Sequence, residues 1–297
     1  MTNVVVTGGL GFVGQHLITA LEKRGDKVFC FDRKLNHELL DYENIRNFLD
    51  IARPAEIYHL AAQAYVPESI DSPIRAFEQN TLGSVNLLKA VKNLGIKCKI
   101  HMAGTSEEYG DAKPAGDKVA ETDLPNPMSP YAISKLAMEN FALWYAKTYG
   151  LDVVVTRAFN HSGAGRGEMY AESSFAKQIV EIERGKQKEL RHGNLESVRN
   201  YTDVRDVVRA YMLAINLPSD VYNICSENNV TMQDILDGLI KNAKVKIKTK
   251  AQPALYRKSD FSFSPPSCEK FTKLTEWKPQ IRLEGMLLEL LMYWRNQ

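Results

Sequence analysis

The sequence predicts an α/β fold, a doubly wound parallel sheet with helices on both faces, and three observations predict it. Short β-branched or apolar runs alternate with helical patterns through the first half, a glycine triad follows directly on the first run, and a carboxylate ends the second. The elements follow in order. "NVVVTG" is a strand because three consecutive valines suit an extended, buried backbone, and residues 12–24 then take a helical period. "KVFCFD" and the helical "YENIRNFLDIA" repeat the unit, as do "EIYHLAA" and one long periodic stretch to Leu94. "CKIHMAG" leads to a helix after Ser129, and "LDVVVTRAFN" closes the series. Beyond Phe159 the regularity loosens. "HSGAGRGEMY" reads as loop, "SFAKQIVEIERG" as helix, "NYTDVRDVVRAYMLAINL" as an Asp ahead of an apolar-periodic helix, and "DVYNICS" as a short strand. The expected organisation is a doubly wound domain mainly over residues 1–160 and a smaller, interleaved lobe mainly over 161–297, with some segments returning to the first domain.

Composition narrows the partners. The 297 residues are 44% hydrophobic and 25% charged, and 38 basic against 36 acidic residues leave a net charge of +2. No overall field argues for nucleic acid or a membrane surface. Cys30, Cys98, Cys225 and Cys268 lie far apart with no C-x-x-C pair, which reads as buried thiols and argues against a metal site and a disulfide framework. The N-terminus carries no basic segment followed by a long apolar run, and no stretch approaches the ~20 apolar residues of a membrane helix. A cytoplasmic location is the expectation.

"VVVTGGLGFVG" sets Gly8, Gly11 and Gly14 after a strand and at the opening of a helix. Glycine allows a tight turn and close approach to a ligand, and the N–H groups at a helix start point towards an anion, so the natural guest is a pyrophosphate. Asp32 ends the next strand, where a carboxylate can accept hydrogen bonds from an adenosine ribose. That marks a Rossmann-type domain and favours NAD, since the carboxylate would face the extra phosphate of NADP. Arg33 beside it could accept that phosphate, so NADP stays open.

In "SPYAISK", Tyr131 and Lys135 are four apart and share one helix face. A neighbouring ammonium stabilises phenolate and makes the tyrosine a usable acid or base for a sugar hydroxyl or ketone. Thr105, at a preceding strand end, could donate a hydrogen bond to the same oxygen.

Taken together, "TGGLGFVG", "HLAAQA", "NTLGSVNLLKAV", "GTSEEYG", "SPYAISK" and "RAFNHSGAGRG" resemble the extended short-chain dehydrogenase/reductase family, in that order and over essentially the whole chain. The resemblance implies catalytic roles for Thr105, Tyr131 and Lys135, the last two also touching cofactor. It implies further cofactor contacts from Phe12, Val13, Leu39, Leu60, Ala61, Ala62, Asn80 and His161, and from Glu38, where the family usually has Asp. The second half is similar to enzymes acting on GDP-mannose and its 4-keto-6-deoxy product. That likeness implies that Asn160, Lys177, Arg199, Arg257 and Asp260 hold a nucleotide-diphosphate sugar, a guanidinium matching phosphate oxygens with paired donors.

Two reactions share this framework. A 4,6-dehydratase oxidises C4, eliminates water and reduces C6, and Glu107 matches its additional acid/base; a 4-keto reductase needs only Thr105, Tyr131 and Lys135. Glu107 and the implied NAD put the dehydratase first, while the short segment from Asp32 to Leu40 and "YTDVRD" look more like the reductase. A catalytically silent dinucleotide-binding regulator is the alternative of another class, and the presence of both Tyr131 and Lys135 argues against it. The stretches 75–94 and 129–149 resemble paired interface helices, with Phe141, Leu143 and Trp144 as apolar contacts, and imply a homodimer.

Overall fold

Val4, Val5 and Val6, all wholly buried, extend the chain at its start as the first of eleven strands among the described residues. The computed structural model of the chain describes residues 1–111, 117–256 and 264–297. In chain order these hold β1 (Asn3–Thr7), α1 (Phe12–Arg24), β2 (Lys27–Phe31), α2 (Tyr42–Ala52), β3 (Glu56–His59), α3 (Val66–Asp71), α4 (Pro73–Phe77), α5 (Gly83–Leu94), β4 (Lys99–Ala103), α6 (Pro130–Tyr149) and β5 (Asp152–Ala158). They continue with β6 (Asn160–Ser162), α7 (Ala171–Glu183), β7 (Leu190–His192), β8 (Val198–Asp203), α8 (Val204–Ala214), β9 (Val221–Ile224), β10 (Asn229–Thr231), α9 (Met232–Ile240), β11 (Thr249–Ala251), α10 (Glu269–Thr275) and α11 (Leu283–Arg295).

The chain divides into two compact units. The first comprises Met1–Phe159, Val208–Ile224 and Ser267–Trp277. Its six strands run in the order β2-β1-β3-β4-β5-β9, every neighbouring pair parallel. The order reverses between β1 and β3, and in open α/β sheets the crevice beyond the strand ends at such a point is where ligands bind. Ile57, Ile100 and Val155 of the strands pack with Leu87, Leu88 and Met138 of α5 and α6 in one core. Truncating one of these leucines would cost about 2–5 kcal/mol. Helix α2 forms because Ile45, Leu49 and Ala52 recur at helical spacing and Asp41 caps its start by accepting the Asn44 N–H at 3.1 Å.

The single helix expected up to Leu94 is broken instead. Pro73 lacks an N–H and starts a new helix, and Glu78–Leu82 is a π turn that leads into α5. Ser129 caps α6 by accepting the Ala132 N–H at 3.1 Å, with Pro130 in the first turn. All four cysteines are free, as thiols; only Cys225 is fully buried, the other three being half-buried.

The second unit comprises Asn160–Val207, Cys225–Pro266 and Lys278–Gln297. It has a three-stranded sheet, β10-β8-β6, and a two-stranded one, β11-β7. Helices α7, α9 and α11 bury Phe175, Ile179, Leu236, Leu239, Leu287 and Leu290 in a core of their own. Among the described residues, no helix is long and apolar enough to cross a membrane, and no group of three or more His, Cys, Asp or Glu side chains is placed to hold a metal ion.

Candidate active site

The glycine turn is built for close approach. Gly8 has φ +70°, and a Cβ there would sit 2.8 Å from the Ala61 backbone; a Cβ at Gly14 would meet the Gly8 carbonyl oxygen at 2.3 Å. Neither position admits a side chain without moving backbone, so the turn stays open to a large anion. Gly11 is the N-cap of α1, whose first turn, beginning at Phe12 and Val13, has no side-chain cap and no acidic residue. Asp32 closes the other side: Oδ2 accepts the Leu10 N–H and Oδ1 the Lys34 N–H, both at 3.0 Å.

A cavity of about 170 Å³ opens against this turn. Nine of the residues expected at the cofactor line it: Gly8, Gly11, Asp32, Arg33, Glu38, Leu39, Leu60, Ala61 and Ala62. Phe31, His37 and Gln79 also line it and were not expected. Phe31 and His37 stack with ring centroids 4.9 Å apart. A forced glycine turn, an uncapped helix start, a carboxylate at the strand end and a slot with both polar and apolar walls together fit a dinucleotide.

Asn80 sits in the π turn, wholly buried. Its Nδ2 donates to the Gln63 carbonyl at 3.0 Å and to Ser134 Oγ at 2.9 Å, while its Oδ1 accepts the Gln63 N–H at 2.7 Å. Its amide group is committed to protein partners, and its place is between the end of β3 and helix α6.

Thr105 follows β4 and caps the 3₁₀ turn Ser106–Glu108. Its Oγ1 accepts the Glu107 N–H at 3.3 Å, which leaves the hydroxyl proton available to another acceptor. Its own N–H donates to Glu108 Oε1 at 2.9 Å. Glu107 is half-buried in that turn. Glu108 is wholly buried, and its Oε2 accepts from Arg157 Nε at 3.1 Å; Arg157 also pairs with Glu139 of α6 at 2.6 Å. Burial first, and then the Glu139 carboxylate, push the Glu108 carboxyl well above the usual range, with Arg157 pulling the other way.

On α6, Tyr131 is half-buried and Lys135 is 3% exposed. Burial pushes the Lys135 ammonium down to about 8, against the opposing charge of Glu108. Glu108 is therefore the link between the Thr105 turn and the Tyr131–Lys135 helix. A charged Arg157 inside the apolar run "VVVTRAF" and the doubled Glu of "SEEYG" are the signals that point to this cluster.

In the second unit, Asn160 and His161 lie on β6 and Arg199 on β8. The pairing sets Asn160 opposite Tyr201, which brings Asn160 and Arg199 onto adjoining strands. Arg199 donates to the Val198 carbonyl at 2.7 Å. Lys177 stands on α7, ion-paired with Glu168. Arg257 and Asp260 lie outside the described residues.

Comparison with known proteins supplies relatives for this arrangement. A family model described as GDP-mannose 4,6 dehydratase matches residues 33–290. The chain is 32% identical over 295 residues to a GDP-6-deoxy-D-mannose reductase of Pseudomonas aeruginosa, covering 98% of this chain and 97% of that one. It is 30% identical to a UDP-glucose 4-epimerase of Lacticaseibacillus casei, covering 99% and 96%. Among solved structures, that of RMD from Pseudomonas aeruginosa complexed with NADPH superimposes with a TM-score of 0.91 at 30% identity, covering 100% and 99%.

Proposed function

Since the chain belongs to the GDP-mannose 4,6-dehydratase family, within the extended short-chain dehydrogenase/reductases, we propose that this NAD(P)-dependent enzyme is a 4-keto reductase of a GDP-linked 4-keto-6-deoxyhexose. The observation that carries this choice is the short passage from Asp32 to Asp41. It holds only the 3₁₀ turn Arg33–Leu35 before α2 begins at Tyr42, and this shortness is what makes the stretch resemble the reductase. The match to the GDP-6-deoxy-D-mannose reductase, nearly end to end in sequence, supports it.

In this reading a bound NAD(P)H supplies the hydride to C4 of the sugar. Tyr131 gives its phenolic proton to O4, so that the carbonyl becomes a hydroxyl. Lys135 stabilises the phenolate left behind, which lowers the cost of that transfer. Thr105 directs its free hydroxyl proton at O4, and Glu108 holds the Thr105 turn still. Gly8, Gly11 and Gly14 with the start of α1 take the pyrophosphate, Asp32 the ribose, and the pocket lining the adenine. Asn160, Lys177 and Arg199, with Arg257 and Asp260, grip the nucleotide sugar; Lys177 does so on leaving Glu168.

One observation favours the dehydratase as a second reading: Glu107 sits two residues after Thr105, half-buried in the same turn. Reaction with NADH deuterated at C4 of the nicotinamide separates the two. A reductase leaves one deuterium at sugar C4, whereas a dehydratase consumes no net NADH.

A further inference from the structure

A continuous line of buried polar side chains runs between the glycine turn and the tyrosine helix, and the chemistry above does not use it. Thr7 is the last residue of β1, immediately before Gly8; its Oγ1 accepts the Ala61 N–H at 3.3 Å and lies 2.7 Å from His59 Nδ1. His59 Nε2 is 2.7 Å from Ser84 Oγ, and Ser84 donates to the Asn80 carbonyl at 2.6 Å. The Asn80 side chain donates to Ser134 Oγ at 2.9 Å, and Ser134 donates to the Tyr131 carbonyl at 2.7 Å. Thr7, His59, Asn80, Ser84 and Ser134 are each at most 1% exposed.

The donors assign every proton. Ser84 has one hydroxyl proton and spends it on a carbonyl oxygen, so towards His59 it can only accept, and His59 Nε2 must carry the hydrogen. Nδ1 is then bare and accepts the Thr7 hydroxyl. The opposite tautomer would leave Ser84 facing a nitrogen with no proton and Thr7 facing a second donor. Burial, reinforced by the charge of Lys135, holds His59 neutral by lowering it to about 3. Only a neutral imidazole in one orientation completes the line.

We propose that His59 is a positioning residue: by bonding Thr7 and Ser84 at once, it fixes the glycine turn relative to the Tyr131 helix and so sets the geometry in which hydride and proton transfer coincide. An apolar side chain could fill the same volume, but a satisfied buried polar line specifies one arrangement of the elements it joins. A misplacement of about 1 Å can cost a factor of about 10² in rate, so fixing that arrangement has kinetic weight. The inference rests on the hydride-transfer reading of the site but not on the identity of the sugar.

The test compares His59→Phe with His101→Phe. His101 is equally buried, on the neighbouring strand β4, and bonds Thr156 at 2.9 Å outside this line. Each variant is assayed well below its melting temperature with whichever GDP- or UDP-linked hexose wild type turns over, so a wrong sugar assignment leaves the test of His59 intact. His59→Phe should lower kcat about tenfold or more, with KM and cofactor Kd within about threefold, while His101→Phe keeps kcat. Ser84→Ala, which removes a single hydroxyl from the same line, should lower kcat in the same sense, and His59→Phe/Ser84→Ala should be little worse than His59→Phe alone. Should His59→Phe fail to fold, Ser84→Ala decides. Equal losses in the two histidine variants, or an unchanged kcat in Ser84→Ala, would overturn the proposal.

Discussion

Glu108 accepts the Thr105 main-chain N–H at 2.9 Å while its other oxygen takes Arg157 Nε at 3.1 Å. One buried carboxyl thus ties the turn carrying the threonine to a strand that pairs, through Arg157, with Glu139 on the tyrosine helix. Removing the guanidinium would leave two carboxyls facing each other out of water. Arg157→Met is expected to lose about 3–5 kcal/mol of unfolding free energy at pH 8. In that variant Glu108, already pushed up by burial, loses the guanidinium that opposes the shift, so the deficit shrinks as pH falls towards 5. Urea denaturation at both pH values checks it, and a loss under about 1 kcal/mol at pH 8 would contradict the cluster's role.

Tyr131→Phe removes one oxygen from a half-buried ring and leaves the glycine turn untouched. Turnover should fall by about 10²–10⁴ while NADH affinity changes by less than a few-fold. Steady-state kinetics and fluorescence titration measure the two quantities. Retained turnover would take Tyr131 out of the proton transfer.

Lys135 is lowered by burial from 10.5 to about 8, so the free enzyme should lose activity as pH rises through 8. The plot of kcat/KM against pH is expected to show that limb, and Lys135→Arg to move it upward, since guanidinium stays charged. The stability effect has the opposite sense. Between about 8 and 10.5 the unfolded lysine still binds a proton that the folded one has released, so unfolding free energy should rise with pH across that window and not in Lys135→Met.

Asp32 places a carboxylate beside the glycine turn, with Arg33 also lining the cavity. NADH should bind more tightly than NADPH. Asp32→Ala should weaken NADH about tenfold and narrow or reverse the preference, as the guanidinium is then free to meet the extra phosphate. Titration with both dinucleotides decides it; tighter NADPH binding by wild type would sink the Asp32 argument.

Phe141 and Trp144 stand 41% and 46% exposed on α6, whereas Leu143 packs into the core and does not join them. We propose that this face pairs two copies of the chain, as the resemblance implies. Sedimentation should give a dimer at micromolar concentration and a monomer for Trp144→Glu. A wild-type monomer would refute the pairing.

The sheet was legible because parallel strands buried on both faces read as unbroken apolar runs, as "VVV" does in both β1 and β5. The glycine turn and the strand-end position of Asp32 were legible because their geometry is local. What stayed hidden is what the fold joins across distance. Arg157 meets Glu108 from 49 residues away, and nothing in "SEEYG" alone separates a buried bridging carboxylate from a solvated one. His37 and Gln79 reach the cavity beside the glycine turn through the turn after β2 and the π turn. A π turn leaves almost no periodic signature in five residues, so the stretch to Leu94 read as continuous although Pro73 was in plain view.

The most direct test of the central claim is a pair of incubations followed by absorbance at the NAD(P)H band and by product analysis. With GDP-4-keto-6-deoxymannose the protein should consume NAD(P)H one for one and form a GDP-6-deoxyhexose, while GDP-mannose without reductant stays unchanged. Conversion of GDP-mannose to a 4-keto-6-deoxy sugar with no net loss of NAD(P)H, abolished in Glu107→Gln, would contradict the reductase and establish the dehydratase.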